Sequence, residues 1–225
     1  MYKRIFLYNV TKMKELAIVV DLDGTLVCTN TFKRYILFVA KEAIRSGRID
    51  LFVLLGVLVA GRKLRLMSHC RMKYHILCAT ERFMSARRIE RFVESLEGYA
   101  NRSVVDKLHT YKKKQGYAWI LSTAAPVHYA SLISQAYGFD YCIATLMPKR
   151  NGDWKENVCE EKCRRTLALL VEIQAQFYAL FTDHYDDLPL LRAGKDINVL
   201  VNPSDKTCHL VMAEHIDFMR LSSKN

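Results

Sequence analysis

Residues 15–26 read Glu-Leu-Ala-Ile-Val-Val-Asp-Leu-Asp-Gly-Thr-Leu. The apolar run Leu16 to Val20 has the length and β-branched content of a buried strand. It delivers two carboxylates, Asp21 and Asp23, to the strand's carboxyl end, and Gly24 follows as a turn former. In open α/β sheets, ligands bind in the crevice beyond the carboxyl ends of the strands. Two acids placed there repel each other, so the position calls for a cation or a shared proton. A hard divalent ion such as Mg²⁺ meets that need through oxygen ligands. Alone, Asp-x-Asp-Gly would also describe a solvated turn closing a hairpin.

The rest of the chain argues against a hairpin. From Val104 onward, helical and strand patterns alternate: a helix over 104–115, a strand Tyr117–Leu121, a helix from Pro126 to Tyr137 and a short strand Tyr141–Thr145. A helix from Lys162 to Gln176 and strands Phe177–Thr182 and Ile197–Val201 follow. Such alternation predicts an α/β fold, a doubly wound, Rossmann-like parallel sheet with helices on both faces. The strand ending at Thr182 runs into Asp183-His184-Tyr185-Asp186-Asp187, three carboxylates in five residues. An apolar strand that ends in acids, occurring twice, is the pattern of a cation site rather than of a solvated turn. The strand before Ser122-Thr123 ends in hydroxyls that could hold a phosphoryl oxygen together with turn N–H groups.

Between these parts, residues 32–100 contain no proline and no strand pattern. They read as helices over about 32–46, 49–60, 64–83 and 86–98, so an all-helical cap is expected over 32–100. The catalytic core is then 1–31 plus 101–225. Residues 51–60, LFVLLGVLVA, are wholly apolar and are followed by Arg62, Lys63 and Arg65. A bilayer span needs about 20 apolar residues, so this segment is either a buried helix of the cap or an interfacial helix lying against lipid head groups.

Together these residues resemble the haloacid dehalogenase superfamily of phosphohydrolases, over essentially the whole chain. DLDGTL matches its first motif, LST the second, the lysine of EEK (Lys162) the third, and TDHYDDLPLL the fourth. A helical insert directly after the first motif is similar to the phosphoserine-phosphatase-like branch. The DLPLL ending and the apolar-then-basic cap segment look most like phosphatidylglycerophosphatase C sequences. The resemblance implies Asp21 as nucleophile forming an aspartyl-phosphate, Asp23 as general acid and base, and Lys162 as the cation offsetting their charge. It further implies Ser122, Thr123 and Gly24 around the phosphate. Mg²⁺ would be held by Asp21, Asp23 (through its carbonyl) and Asp183, with Asp187 in support. Four positions depart from the pattern. Cys159 stands three residues before the lysine where glycine is common, which leaves Lys155 as an alternative. Thr182 stands where glycine or serine precedes the acid. Asp186 competes with Asp187. Asn30 replaces the glutamate that holds the ammonium of phosphoserine, which argues against that substrate.

The chain has 225 residues, 51% of them hydrophobic, enough for a substantial core. Its formal charge of +11 favours anionic partners. No interleaved aromatic and basic pattern suited to nucleic acid appears. Seven cysteines in an odd count without framework or zinc spacing suit free thiols in a cytoplasmic setting, with peripheral contact at the inner membrane face. The N-terminal MYKRIFLYNVTKMKE lacks the apolar region of a signal peptide. The expected activity is Mg²⁺-dependent phosphomonoester hydrolysis, on a phosphorylated lipid or other amphipathic substrate. Its rivals are a small-metabolite phosphatase and a non-catalytic module binding anionic surfaces.

Overall fold

β1 (Leu16–Val20) is buried on both faces, as its unbroken apolar run predicts. A computed structural model describes residues 16–112, 116–149, 153–193 and 196–223; the N-terminal segment and the end of the helix expected over 104–115 lie outside them. β1 pairs in parallel with β2 (Tyr117–Pro126) on one side and β4 (Gln176–Thr182) on the other. β3 (Tyr141–Thr145), β5 (Ile197–Val201) and β6 (Met219–Leu221) complete a six-stranded sheet in the order β3-β2-β1-β4-β5-β6, every pair parallel. The chain winds one way from β1 to β3 and the other way from β4 to β6. The switch point therefore falls between β1 and β4, where a doubly wound sheet opens its ligand crevice.

Alternate side chains of each strand feed two cores. Ile18, Val20, Trp119, Leu121 and Phe181 face one, and Ala17, Val19, Ile120 and Leu180 the other. The connecting helices are α5 (Arg102–Lys112), α6 (Val127–Ala136), α7 (Cys159–Glu172), α8 (Leu188–Ala193) and α9 (Asp205–Ala213). Between β1 and α5 lie α1 (Thr31–Arg45), α2 (Ile49–Lys63), α3 (His69–Thr80) and α4 (Ala86–Glu94). The two ends of this helical stretch are zipped together. Cys28 N–H donates to Tyr99 O at 2.8 Å and Asn101 N–H to Leu26 O at 2.9 Å.

The helices of the insert are joined by buried polar and aromatic contacts. Glu42 of α1, buried, takes Arg45 (3.2 Å), Arg88 (3.8 Å) and Arg91, the last two from α4. The Tyr35 hydroxyl meets Thr80 Oγ1 of α3 at 2.8 Å, and its ring packs on Phe92 of α4 and on Tyr129 of α6.

Several boundaries differ from expectation. The helix expected over 64–83 begins only at His69, because Ser68 caps it by accepting Arg71 N–H at 3.1 Å. The preceding turn carries Arg65 in the left-handed region at φ 59°. β2 continues past Leu121 to Pro126, α7 starts three residues before Lys162, and β6, α8 and α9 add to the expected elements.

Candidate active site

The first strand ends directly in the site. Asp21 follows β1, and its N–H donates to Phe181 O of β4 at 2.9 Å, which stitches the two acid-bearing strand ends together. Gly24 then turns back with φ 74° and gives its N–H to Val27 O at 2.8 Å. A Cβ at Gly24 would collide with Asp183 Oδ2 and stand 2.6 Å from its Cγ. Glycine is therefore needed here both for the left-handed backbone and so that Asp183 can lie against the Asp21–Asp23 turn.

Lys162 reaches in from the first turn of α7, and its Nζ donates to Asp21 Oδ1 and to Asp187 Oδ2, both at 2.7 Å. The lysine is buried. Burial works against its charge, yet the carboxylates of Asp187 and Asp21 outweigh it and raise the pKa above the ordinary lysine value. The same Asp187 oxygen accepts Thr182 Oγ1 at 2.7 Å. Asp187 thus fixes the lysine, while exposed Asp186 meets His184 Nδ1 at 3.2 Å. Lys155 is exposed.

Asp23 Oδ1 accepts Thr31 N–H at the first turn of α1, at 2.8 Å. Burial raises its pKa against that hydrogen bond. Burial also pushes Asp21 up to about 8, Lys162 opposing and Asp187 and Asp183 adding to the rise. Asp183 rises to about 6, again chiefly through burial. Acids crowded in this way want a cation. Among the described residues no three His, Cys, Asp or Glu side chains are grouped so as to hold a metal ion. Mg²⁺ does not require three, since it is commonly held by one or two carboxylates and keeps several waters. Asp21, Asp23 and Asp183 line one cavity and carry the oxygen donors that ion takes.

These groups line a cavity of about 350 Å³. Ser122 and Thr123 do not line it. Ser122 Oγ is paired with Thr166 Oγ1 of α7 at 2.8 Å, and Thr123 Oγ1 accepts Ala125 N–H at 3.0 Å. β2 runs on to Pro126, and Ala124 lies on the cavity wall.

A model of the haloacid dehalogenase-like hydrolase family matches residues 18–192. The chain belongs to that family. No curated protein matches it in sequence. Among solved structures it is similar to a protein of unknown function from Bordetella pertussis Tohama I, with TM-score 0.74 and 19% identity, over 92% of this chain and 98% of that one. It is also similar to a HAD family hydrolase from Salmonella enterica serovar Typhi, with TM-score 0.62 and 10% identity, over 87% and 66%. A phosphoserine phosphatase described as a phospho-aspartyl intermediate analogue matches with TM-score 0.56 and 13% identity, over 91% and 92%. At these identities the likeness is one of fold alone.

The family motifs leave part of the wall unexplained. Lys73 of α3, 2% exposed, donates to Glu156 Oε2 and to Ala124 O, both at 2.8 Å. His69, one turn earlier, stands 3.9 Å from Glu156 Oε1. Asn157 is buried beside them, its Nδ2 donating to Thr123 O at 3.0 Å. No sequence motif singles out Lys73, Glu156 or Asn157. The one available signal was the i, i+4 spacing of His69 and Lys73 on a helix face. Asn30 also lines the cavity, but its side chain accepts Lys33 N–H at 2.8 Å and so caps α1.

Proposed function

We propose that this hydrolase cleaves phosphomonoesters through a phosphorylated Asp21, with Mg²⁺ as cofactor and residues 32–100 acting as the cap that closes over the leaving group. The observation that carries the reading is Lys162, held at 2.7 Å from both Asp21 and Asp187 beside the Asp183 carboxylate. An Asp21 oxygen attacks phosphorus, the P–O ester bond breaks, and the leaving alkoxide takes a proton from Asp23. Asp23 then accepts a proton from water, which attacks phosphorus, and inorganic phosphate leaves as the Asp21–phosphate bond breaks. Burial raises the Asp23 pKa, the direction that suits a general acid. Lys162 opposes the burial that disfavours the Asp21 carboxylate and offsets the phosphate charge, Asp187 and Thr182 hold Lys162 in place, and the Asp23–Thr31 hydrogen bond orients the acid. Asp21, Asp183 and the Asp23 carbonyl would hold Mg²⁺, which would supply charge neutralisation of the transferring phosphoryl group. The solved phosphoserine phosphatase of similar fold, described as a phospho-aspartyl intermediate analogue, supports a covalent route.

For the substrate we favour a phosphorylated lipid or other amphipathic phosphomonoester, because Phe32 and Lys73 of the helical insert bring an apolar ring and a cation to the cavity wall. A small-metabolite phosphatase is the second reading, favoured by a cavity of about 350 Å³, at the small end of ligand pockets. Phosphate release from a panel of lipid and soluble phosphomonoesters, with Mg²⁺ and with a chelator, separates them. Asp21→Asn is expected to abolish turnover and the phosphoryl adduct seen by mass spectrometry after acid quench. Turnover surviving in Asp21→Asn overturns the mechanism, and preference for soluble over lipid phosphates overturns the substrate.

A further inference from the structure

α2 carries apolar residues on the side where a surface helix is normally polar. Leu51, Leu55 and Leu58 turn inward and are buried, while Phe52, Val53, Leu54 and Val57 face outward. Val53 is 54% and Val57 60% exposed. The pattern continues with exposed Ile44 before the helix, Ile49 at its first position, and Leu64 and Leu66 after it. Nine of the fourteen large exposed hydrophobics among the described residues fall between Leu37 and Leu66. Cations bracket this surface: Arg45 and Arg48 at one end, and Arg62, Lys63 and Arg65 at the other, all exposed. The sole acid from 44 to 66 is Asp50, already paired with Arg48 at 2.7 Å.

We infer that the outward face of α2, with its basic ends, docks on the surface of an anionic lipid bilayer. An apolar strip rimmed by lysine and arginine is what an interfacial helix needs: side chains that enter the acyl boundary and cations that meet head-group phosphates. The helix lies on the surface and does not cross it. Its 15 residues extend about 22 Å at 1.5 Å per residue, short of a hydrocarbon core of about 30 Å. No helix among the described residues is long and apolar enough to span. A second copy of the chain fits this face less well, since self-association would bring like-charged basic ends together on molecules of charge +11. Nucleic acid would meet the charges but leave the apolar centre uncovered. The inference is independent of which phosphomonoester is hydrolysed.

The test is vesicle co-sedimentation of the full chain with equal parts phosphatidylcholine and phosphatidylglycerol, beside phosphatidylcholine alone. Wild type is expected in the pellet with the anionic vesicles and in the supernatant with the neutral ones. Val53→Asp/Val57→Asp should weaken binding by roughly tenfold or more, and Arg62→Glu/Lys63→Glu by about fivefold per charge lost. Circular dichroism and p-nitrophenyl phosphate turnover should stay at wild-type values in both variants. Wild type remaining in the supernatant with anionic vesicles, or either variant binding as wild type does, overturns the inference. Equal binding to neutral vesicles overturns its electrostatic half. A solution dimer that Val53→Asp/Val57→Asp splits overturns it in favour of a second copy. Failure of the hydrolase reading appears separately, as wild type that binds vesicles but releases no phosphate from any substrate.

Discussion

Lys73 and Glu156 form a buried ion pair whose members come from α3 and from the loop before α7, so removing one charge tests how the insert is tied to the sheet. In Lys73→Met the Glu156 carboxylate stays buried and loses its 2.8 Å partner. Its one other cation contact is His69 Nδ1 at 3.9 Å, on a side chain 54% exposed. Leaving a buried charge unpaired costs about 3–5 kcal/mol. At roughly 2–4 °C per kcal/mol for a chain of this size, the melting temperature should fall by about 6–20 °C. The double variant Lys73→Met/Glu156→Leu should recover most of that, since an apolar pair of similar volume often replaces a buried ion pair at little cost. The Ala124 carbonyl that Lys73 also serves keeps Thr145 Oγ1 as a donor at 2.7 Å. Urea unfolding and thermal melts of the two singles and the double close the cycle. A single variant losing less than about 1 kcal/mol, or a double as unstable as Lys73→Met, would refute the view that charge pairing rather than packing holds this contact.

Gly24→Ala should cost about 1–2 kcal/mol for the left-handed backbone alone; because it also displaces Asp183, the Mg²⁺ concentration for half-maximal turnover should rise, as a metal titration would show. His128 has neither ring nitrogen hydrogen-bonded among the described residues, and burial lowers its pKa from 6.5 to about 4. The folded state therefore favours the neutral ring: the contribution is complete above pH 6.5 and is lost as pH falls toward 4, by about 3 kcal/mol at most. His128→Leu should flatten the acid limb of stability against pH, measured by urea unfolding between those values. Cys159 holds φ 46° where glycine is common in the family, so Cys159→Gly should raise stability by about 0.5–1 kcal/mol, seen as a higher melting temperature.

Much of the site could be read from the chain because its acids follow continuous apolar strands, and a buried strand in a parallel sheet announces itself by composition alone. Leu16–Val20 and the strand ending at Thr182 delivered Asp21, Asp23 and Asp183 to one crevice, and Lys162 met them from the helix where its motif put it. What escaped depended on three-dimensional neighbours with no local pattern. Glu156 lies 83 residues from Lys73, and nothing around either residue marks the pairing. Ser122 reads as a strand-end hydroxyl, yet Thr166 claims it from across α7. Gly24 reads as a turn former, and only the packing of Asp183 shows that its missing side chain matters as much as its backbone. β6, three residues long with its first two exposed, carries too little apolar signal to be distinguished from a loop.

The paired amides and carbonyls at Leu26–Cys28 and Tyr99–Asn101 act as a clasp at the base of the inserted helices. The roughly seventy residues beyond it leave and rejoin the sheet at one point, yet Thr31 holds Asp23 and Lys73 holds Glu156 from their side of it. An exchange of those residues should therefore spare the acids only where both contacts are rebuilt.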